Sequence, residues 1–239
     1  MWINRFLVVA AVAVVALGAW LAVGSRGPET LDQATLAMIA RDTQEDRKVR
    51  LAAVERLTES ALLAEVAKDW RCESPINLAA INRLDDQAVL AEIAINADKK
   101  TNSPVCKAAL EKLTDPTLLA DVAKHSRDFS MRQQAVGMLT DPALLADVAK
   151  YTRAPVRGQS EVDRNSNRVM DGVVRGQAVQ KLRDPALLAD VAKHTDDKDV
   201  WESVIPWLRD PALLDDIAKN AVDERARREA EERLTNLAR

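Results

Sequence analysis

LTDPALLADVAK, residues 139–150, decides how the chain folds, because the phrase is written repeatedly along it. LTESALLAEVAK begins at Leu57, LDDQAVLAEIAI at Leu84 and LTDPTLLADVAK at Leu113. LRDPALLADVAK follows at Leu182 and LRDPALLDDIAK at Leu208. A degenerate copy, TLDQATLAMIAR, starts at Thr30, and a truncated one, LTNLAR, at Leu234. The spacings between successive starts are 27, 27, 29, 26, 43, 26 and 26 residues. The unit is therefore about 26 residues long, with one insertion of about 17 between Tyr151 and Val174.

Each unit reads as two short helices. In the copy at Leu113, Asp115 followed by Pro116 is a helix start: the carboxylate caps backbone N–H groups and proline fits the first turn. Leu118, Leu119, Val122 and Ala123 then fall on one helical face. Lys124 and His125 close the helix where positive charge suits its dipole. A polar turn leads to a second helix, patterned Val49, Ala53, Val54, Leu57 in one copy and Val174, Ala178, Val179, Leu182 in another. Asp46, Asp128, Asp171 and Asp223 stand four residues before Arg50, Arg132, Arg175 and Arg227, a spacing that predicts an acid–base pair one turn apart. One such helix pair buries too little surface to stand alone, whereas stacked pairs cover each other's apolar faces. The last helix, expected from Asp223 to Leu237, has Glu231 in place of an apolar residue, which reads as a polar capping face.

Composition agrees. The 239 residues include 30% charged, 47% hydrophobic and only 3% aromatic, with few glycines, which favours helices over a β-sandwich or barrel. Four glycines after residue 28 leave no glycine-rich phosphate loop. Two cysteines make neither a disulfide framework nor a four-cysteine zinc site. No nucleophile–base motif or cofactor fingerprint is present, so no catalytic residue, metal or cofactor is expected. Residues 29–239 carry 32 basic and 37 acidic side chains, a net −5 that gives no electrostatic reason to expect nucleic acid.

DRKVRLAAVERL (46–57) and DGVVRGQAVQKL (171–182) resemble short HEAT-like repeats of the phycobilisome-lyase type. DPALLADVAK followed by a turn is also similar to leucine-rich-repeat-variant units, which pair an α-helix with a 3₁₀ helix, so the second element is left open between the two. The resemblance covers nearly all of residues 30–239 and implies an all-α, right-handed α-solenoid of about seven repeats. It implies a binding surface or scaffold more than an activity. The unit at Leu208 departs from the pattern, with Trp201 in place of arginine and Pro206 inside the second helix.

Residues 6–24, FLVVAAVAVVALGAWLAVG, are uncharged, and nineteen residues at about 1.5 Å each nearly span a bilayer core. Trp2 and Trp20 lie near the ends of the run, as an aromatic belt would. The expectation is an uncleaved signal anchor over residues 1–28, a transmembrane helix that holds the solenoid outside the cytoplasm, most simply at a bacterial inner membrane facing the periplasm. The alternative is a secretory signal cleaved after Ala22-Val23-Gly24, with the chain released to the periplasm.

Candidate site residues come from the departures. The insertion at 152–173 reads as a polar loop, and Arg153, Arg157, Arg164 and Arg168 make it a cationic contact on an acidic protein. Its Asp163, Asn165, Asn167 and Asp171 resemble a calcium loop in order, although Arg168 stands where glycine belongs and Val174 where glutamate belongs. Trp201 and Trp207, which flank Pro206, are either interface anchors or fillers of a disrupted helix. Cys72 and Cys106 lie near the starts of successive second helices, where a cross-repeat disulfide or two separate thiols are both compatible with the spacing. Asp121, Asp147, Asp190 and Asp216 form a row that reads as a solvated face or an acidic ladder. His125 and His194, two units apart, are separated by about 20 Å at roughly 10 Å per helix layer, too far to share a metal. The functional expectation is a membrane-anchored, non-catalytic scaffold for protein partners. The alternatives are a lyase-like or ligand-binding accessory protein and a passive spacer.

Overall fold

The computed structural model describes residues 31–69, 74–96, 103–151 and 160–238 of the chain. The described residues are all-helical, with fourteen α-helices, one 3₁₀ turn and no strand. First helices of the units are α1 (Gln33–Arg41), α3 (Ser60–Lys68), α5 (Gln87–Ile95), α7 (Pro116–His125), α9 (Pro142–Lys150), α11 (Pro185–His194) and α13 (Pro211–Asn220). Second helices are α2 (Arg47–Arg56), α4 (Ser74–Arg83), α6 (Ser103–Glu111), α8 (Phe129–Met138), α10 (Glu161–Lys181), α12 (Lys198–Glu202) and α14 (Glu224–Leu237). The second element, open between α and 3₁₀ from sequence, is α throughout, except that a 3₁₀ turn, η1 (Ile205–Trp207), follows α12.

The starts are set by single carboxylates. Asp115 accepts the N–H groups of Thr117 and Leu118, Asp141 those of Ala143 and Leu144, and Asp184 and Asp210 cap α11 and α13 with Pro185 and Pro211 at the first helical position. The second helices use Asp46, Asp128, Asp197 and Asp223 in the same way. Each helix packs on its partner within the unit, and most pack also on the corresponding helices of the adjacent units. The leading leucines Leu57, Leu84, Leu113, Leu139, Leu182 and Leu208 lie in the core between units, with Leu63, Leu90, Leu119, Leu145 and Leu214 from the first helices. Burial of each such side chain is worth about 1.5–3 kcal/mol, so the continuous core holds the stack together.

Helix C-termini are closed by the neighbouring element. The buried arginines of the second helices do this for the first helices. Arg50 Nε donates to the carbonyl of Ala40 and Arg132 to that of Ser126. In the copy at Leu57 the same repeat position is Asn77, whose amide donates to the carbonyls of Val66, Ala67 and Asp69. Three of the second helices, α2, α4 and α8, are closed by a basic residue just before a later unit's leading leucine. Arg83 reaches the Leu57 carbonyl, Lys112 those of Ile81 and Asn82, and Lys181 those of Val136, Gly137 and Leu139.

Two expectations change here. The Asp–Arg pairs one turn apart are not the pairs that form. Arg132 forms its ion pair with Asp171 of the next unit at 3.1 Å, and Arg175 pairs with Asp197 of the unit after that. Arg132 and Arg175 point inward to the packed seam, where the next unit's carboxylate is the nearer one. The insertion is also not a loop throughout. From Glu161 it is helix, so α10 runs 21 residues, about three turns longer at its start than α8. No proline or glycine interrupts residues 160–171, and the helix continues unbroken into the repeat.

The apolar run 6–24, expected to span a membrane, and Cys72, Arg153 and Arg157 lie outside the described residues. Among the described residues no helix is long and apolar enough to cross a membrane.

Candidate functional site: the cleft at the broken repeat

The repeat breaks at one place on its second-helix side. Pro206 has no N–H to continue an α-helix, and α12 ends after five residues, giving way to η1. The two tryptophans on either side have opposite fates. Trp201 stands at the repeat position of Arg50, Arg132 and Arg175 and is 3% exposed. Of its two readings, interface anchor or filler of a disrupted helix, burial fits the filler: the short helix leaves room for a ring where Arg50, Arg132 and Arg175 place a guanidinium. Its indole N–H has no acceptor among the described residues, and Arg225 lies over the ring at 6.0 Å.

Trp207 is the reverse case. It holds the position of Arg83, Lys112 and Lys181, whose long cationic stems close the preceding second helix. An indole has no such reach or charge, and Trp207 is 81% exposed, the most exposed large apolar side chain described. It lines an open cleft of about 850 Å³ between α10, α12, η1 and the turns that lead into α11 and α13.

The floor of that cleft is built by omission. Gly172 and Gly176 fall one turn apart on α10. A Cβ on Gly176 meets nothing within 4 Å, so the glycine leaves open space, whereas one on Gly172 sits 3.2 Å from an Asp197 carboxylate oxygen. Val169 and Val173, on the same helix, are exposed. Arg183 and Arg209 line the cleft from equivalent turn positions of adjacent units, where the copies at Leu57, Leu113 and Leu139 have Thr58, Thr114 and Thr140. Both arginines are exposed, and neither has an ion pair or hydrogen bond among the described residues. Of the lining carboxylates, Asp210 is engaged with the Ala212 N–H, and Asp199 sits exposed in the first turn of α12.

The other candidates are placed as follows. Arg168 is exposed on α10, and Arg164 falls within the same helix rather than in a loop. The calcium-like order Asp163, Asn165, Asn167 and Asp171 lies within α10, so its backbone is helix and not a calcium loop. Among the described residues no group of three or more His, Cys, Asp or Glu side chains is set to hold a metal. Cys106 is buried on α6. His125 Nδ1 meets the Tyr151 hydroxyl at 3.1 Å, and His194 Nδ1 lies 2.8 Å from the carbonyl of Asp190 and 3.0 Å from its carboxylate.

The acidic row is neither a bare ladder nor a plain solvated face. In four units the basic residue that ends the first helix crosses to the acid of the next. Arg41 pairs with Glu65 at 2.8 Å, Lys68 with Glu92 at 2.5 Å, Lys150 with Asp190 at 2.8 Å and Lys193 with Asp216 at 2.8 Å. Asp121 and Asp147 have Lys124 and Lys150 on their own helices. Burial works against ionised Asp190, but the Lys150 hydrogen bond and charge, with His194 and Lys193, hold it below the ordinary aspartate value. The Lys193 ammonium and the Asn220 amide do the same for Asp216. Arg183 and Arg209 beside Trp207 take no part in this row of pairs. No family model matches the chain, and no curated protein matches it.

Proposed function

We propose that the protein is a non-catalytic scaffold for protein partners, a right-handed α-solenoid of about seven HEAT-like repeats. In this reading residues 6–24 anchor it in a membrane and the repeats lie outside the cytoplasm, in the periplasm of a bacterial cell. The all-helical stack of pairs, each touching its sequence neighbours, is what such a solenoid requires. The observation that carries the binding role is the cleft at the broken repeat, with Trp207 at 81% exposure over it. Tryptophan at a concave, accessible site is the side chain most often found to anchor a partner. Trp207, like Met138 at the same position of an earlier unit, has no cation to close the preceding helix, and of the two it is by far the more exposed.

The test is a photo-crosslinking residue placed at position 207 of the tagged full-length chain in living cells, with a control at exposed Glu55. A discrete partner captured from 207 and not from 55, and reduced when Arg183 and Arg209 are changed to threonine, is the expected result. Absence of any specific adduct at 207 refutes the scaffold reading at this site and leaves the spacer.

A further inference from the structure

We propose that the cleft beside Trp207 binds an extended acidic segment of a partner protein, seating two of its carboxylates on Arg183 and Arg209 with an apolar residue over the indole. This deepens the scaffold reading and rests on it.

Three features of the cleft specify that occupant. The first is charge. The two guanidiniums have no partner among the described residues, although the domain carries more acids than bases and the acids of the row nearby are paired. Guanidinium is the group that takes carboxylates in a bidentate fashion, and the equivalent threonines of other units cannot. The second is spacing. Equivalent positions of adjacent units lie about one helix layer, roughly 10 Å, apart. A chain extended as a polyproline-II helix rises about 3.1 Å per residue with three residues per turn, so carboxylates about three residues apart share one face and match the two arginines. The third is shape. Gly176 leaves open space along α10, and Trp207 presents its ring beside it, so an extended backbone fits with an apolar side chain against the indole. A nucleic-acid strand, the other anionic polymer, is disfavoured by the net −5 of residues 29–239. Asp199, also in the lining, sets a polarity: it repels a carboxylate placed next to it, so the acidic pair must lie toward the arginines.

The experiment uses the purified full-length chain in detergent, a displayed random-peptide library, and fluorescence anisotropy of the strongest peptide recovered. Enrichment of peptides with two acidic residues about three apart, flanking an apolar one, is expected. Arg183→Thr with Arg209→Thr, which installs the residue of the sister repeats, should weaken that peptide by about tenfold or more, with thermal melting unchanged. Asp199→Asn should tighten it. Trp207→Lys, which installs the residue found at Lys112 and Lys181 of sister units, should weaken it without loss of folding. Enriched peptides that lack acidic residues, or that bind the threonine variant equally well, overturn the acidic-segment proposal while leaving the scaffold reading intact. No enrichment overturns it too. In that case a partner captured at position 207 in cells preserves the scaffold reading alone.

Discussion

At the scale of single residues, the buried arginines show how a repeat protein uses one side chain for two tasks. Arg132 is 2% exposed, donates to the Ser126 carbonyl, and lies against Asp171 of the next unit. Burying a charge is costly, and it persists here because both the carbonyl and the carboxylate are matched to it. Arg132→Ala leaves a half-covered carboxylate and an orphaned carbonyl, and is expected to destabilise the chain by about 3 kcal/mol in urea unfolding. Arg132→Met with Asp171→Leu should cost clearly less than the sum of the two single changes, since an apolar pair leaves no group unmatched. If the double change is additive, the ion pair is not what holds the seam. The cross-unit pairing could not be read from the sequence. A spacing of four residues fits a pair within one helix as well as one across the stack, and only the direction of the side chain separates them. For Trp201 and Trp207 the same limit applies. They flank one proline, and burial of the first and exposure of the second depend on which side of the broken helix each one emerges.

At the scale of elements, the repeated phrase was nearly complete as a blueprint. Asp-Pro starts, apolar faces and basic ends recur because each unit solves the same burial and capping problem, and the helices follow them. The insertion was less legible. Aspartate, asparagine and serine favour turns when local bonds decide, so residues 160–173 read as a loop. The structure continues the helix through them, tied to the neighbouring unit where Asp171 meets Arg132. The two glycines of α10 give a direct check on this helix. Glycine in a helix interior costs about 0.5–1 kcal/mol relative to alanine. Gly176→Ala meets open space, so it should stabilise the chain by about that amount while narrowing the cleft. Gly172→Ala presses on Asp197, the carboxylate paired with Arg175, and should gain nothing or lose stability. Thermal melts of the two variants side by side decide it. Equal gains at both sites mean that Asp197 yields freely and the Arg175 pair is loose.

At the scale of the whole molecule, stability is a chain of neighbour terms, because helices bury their faces and close their ends against adjacent units. The charged row along the first helices adds to that coupling. Each exposed pair is worth no more than about 1 kcal/mol alone and is screened by salt. Folding reduces the affinity for protons at Asp190 and Asp216 of that row and at two second-helix caps, Asp128 and Asp223. Hydrogen bonds and the charge of Arg225 hold Asp223 at about 2, against an ordinary 3.8. Asp190 and Asp216 are lowered by Lys150 and Lys193, and Asp128 by Ser130, Met131 and Arg132 in spite of its burial. Between pH 3.8 and about 2 the unfolded chain therefore binds more protons than the folded one at these sites. Their stabilisation is fully present above the unfolded value and is lost as pH falls through that window. Urea midpoints should hold steady from neutrality down to about pH 5, then drop steeply below about pH 4. Arg225→Ala should flatten part of that drop, because Asp223 then titrates nearer its unfolded value, with a lower midpoint at neutral pH and a smaller difference in acid. A midpoint that rises with acidification, or a drop that Arg225→Ala leaves unaltered, shows that these carboxylates do not carry the acid dependence. Adding salt at neutral pH should lower the midpoint modestly through the same row, and do so less once the pairs are protonated.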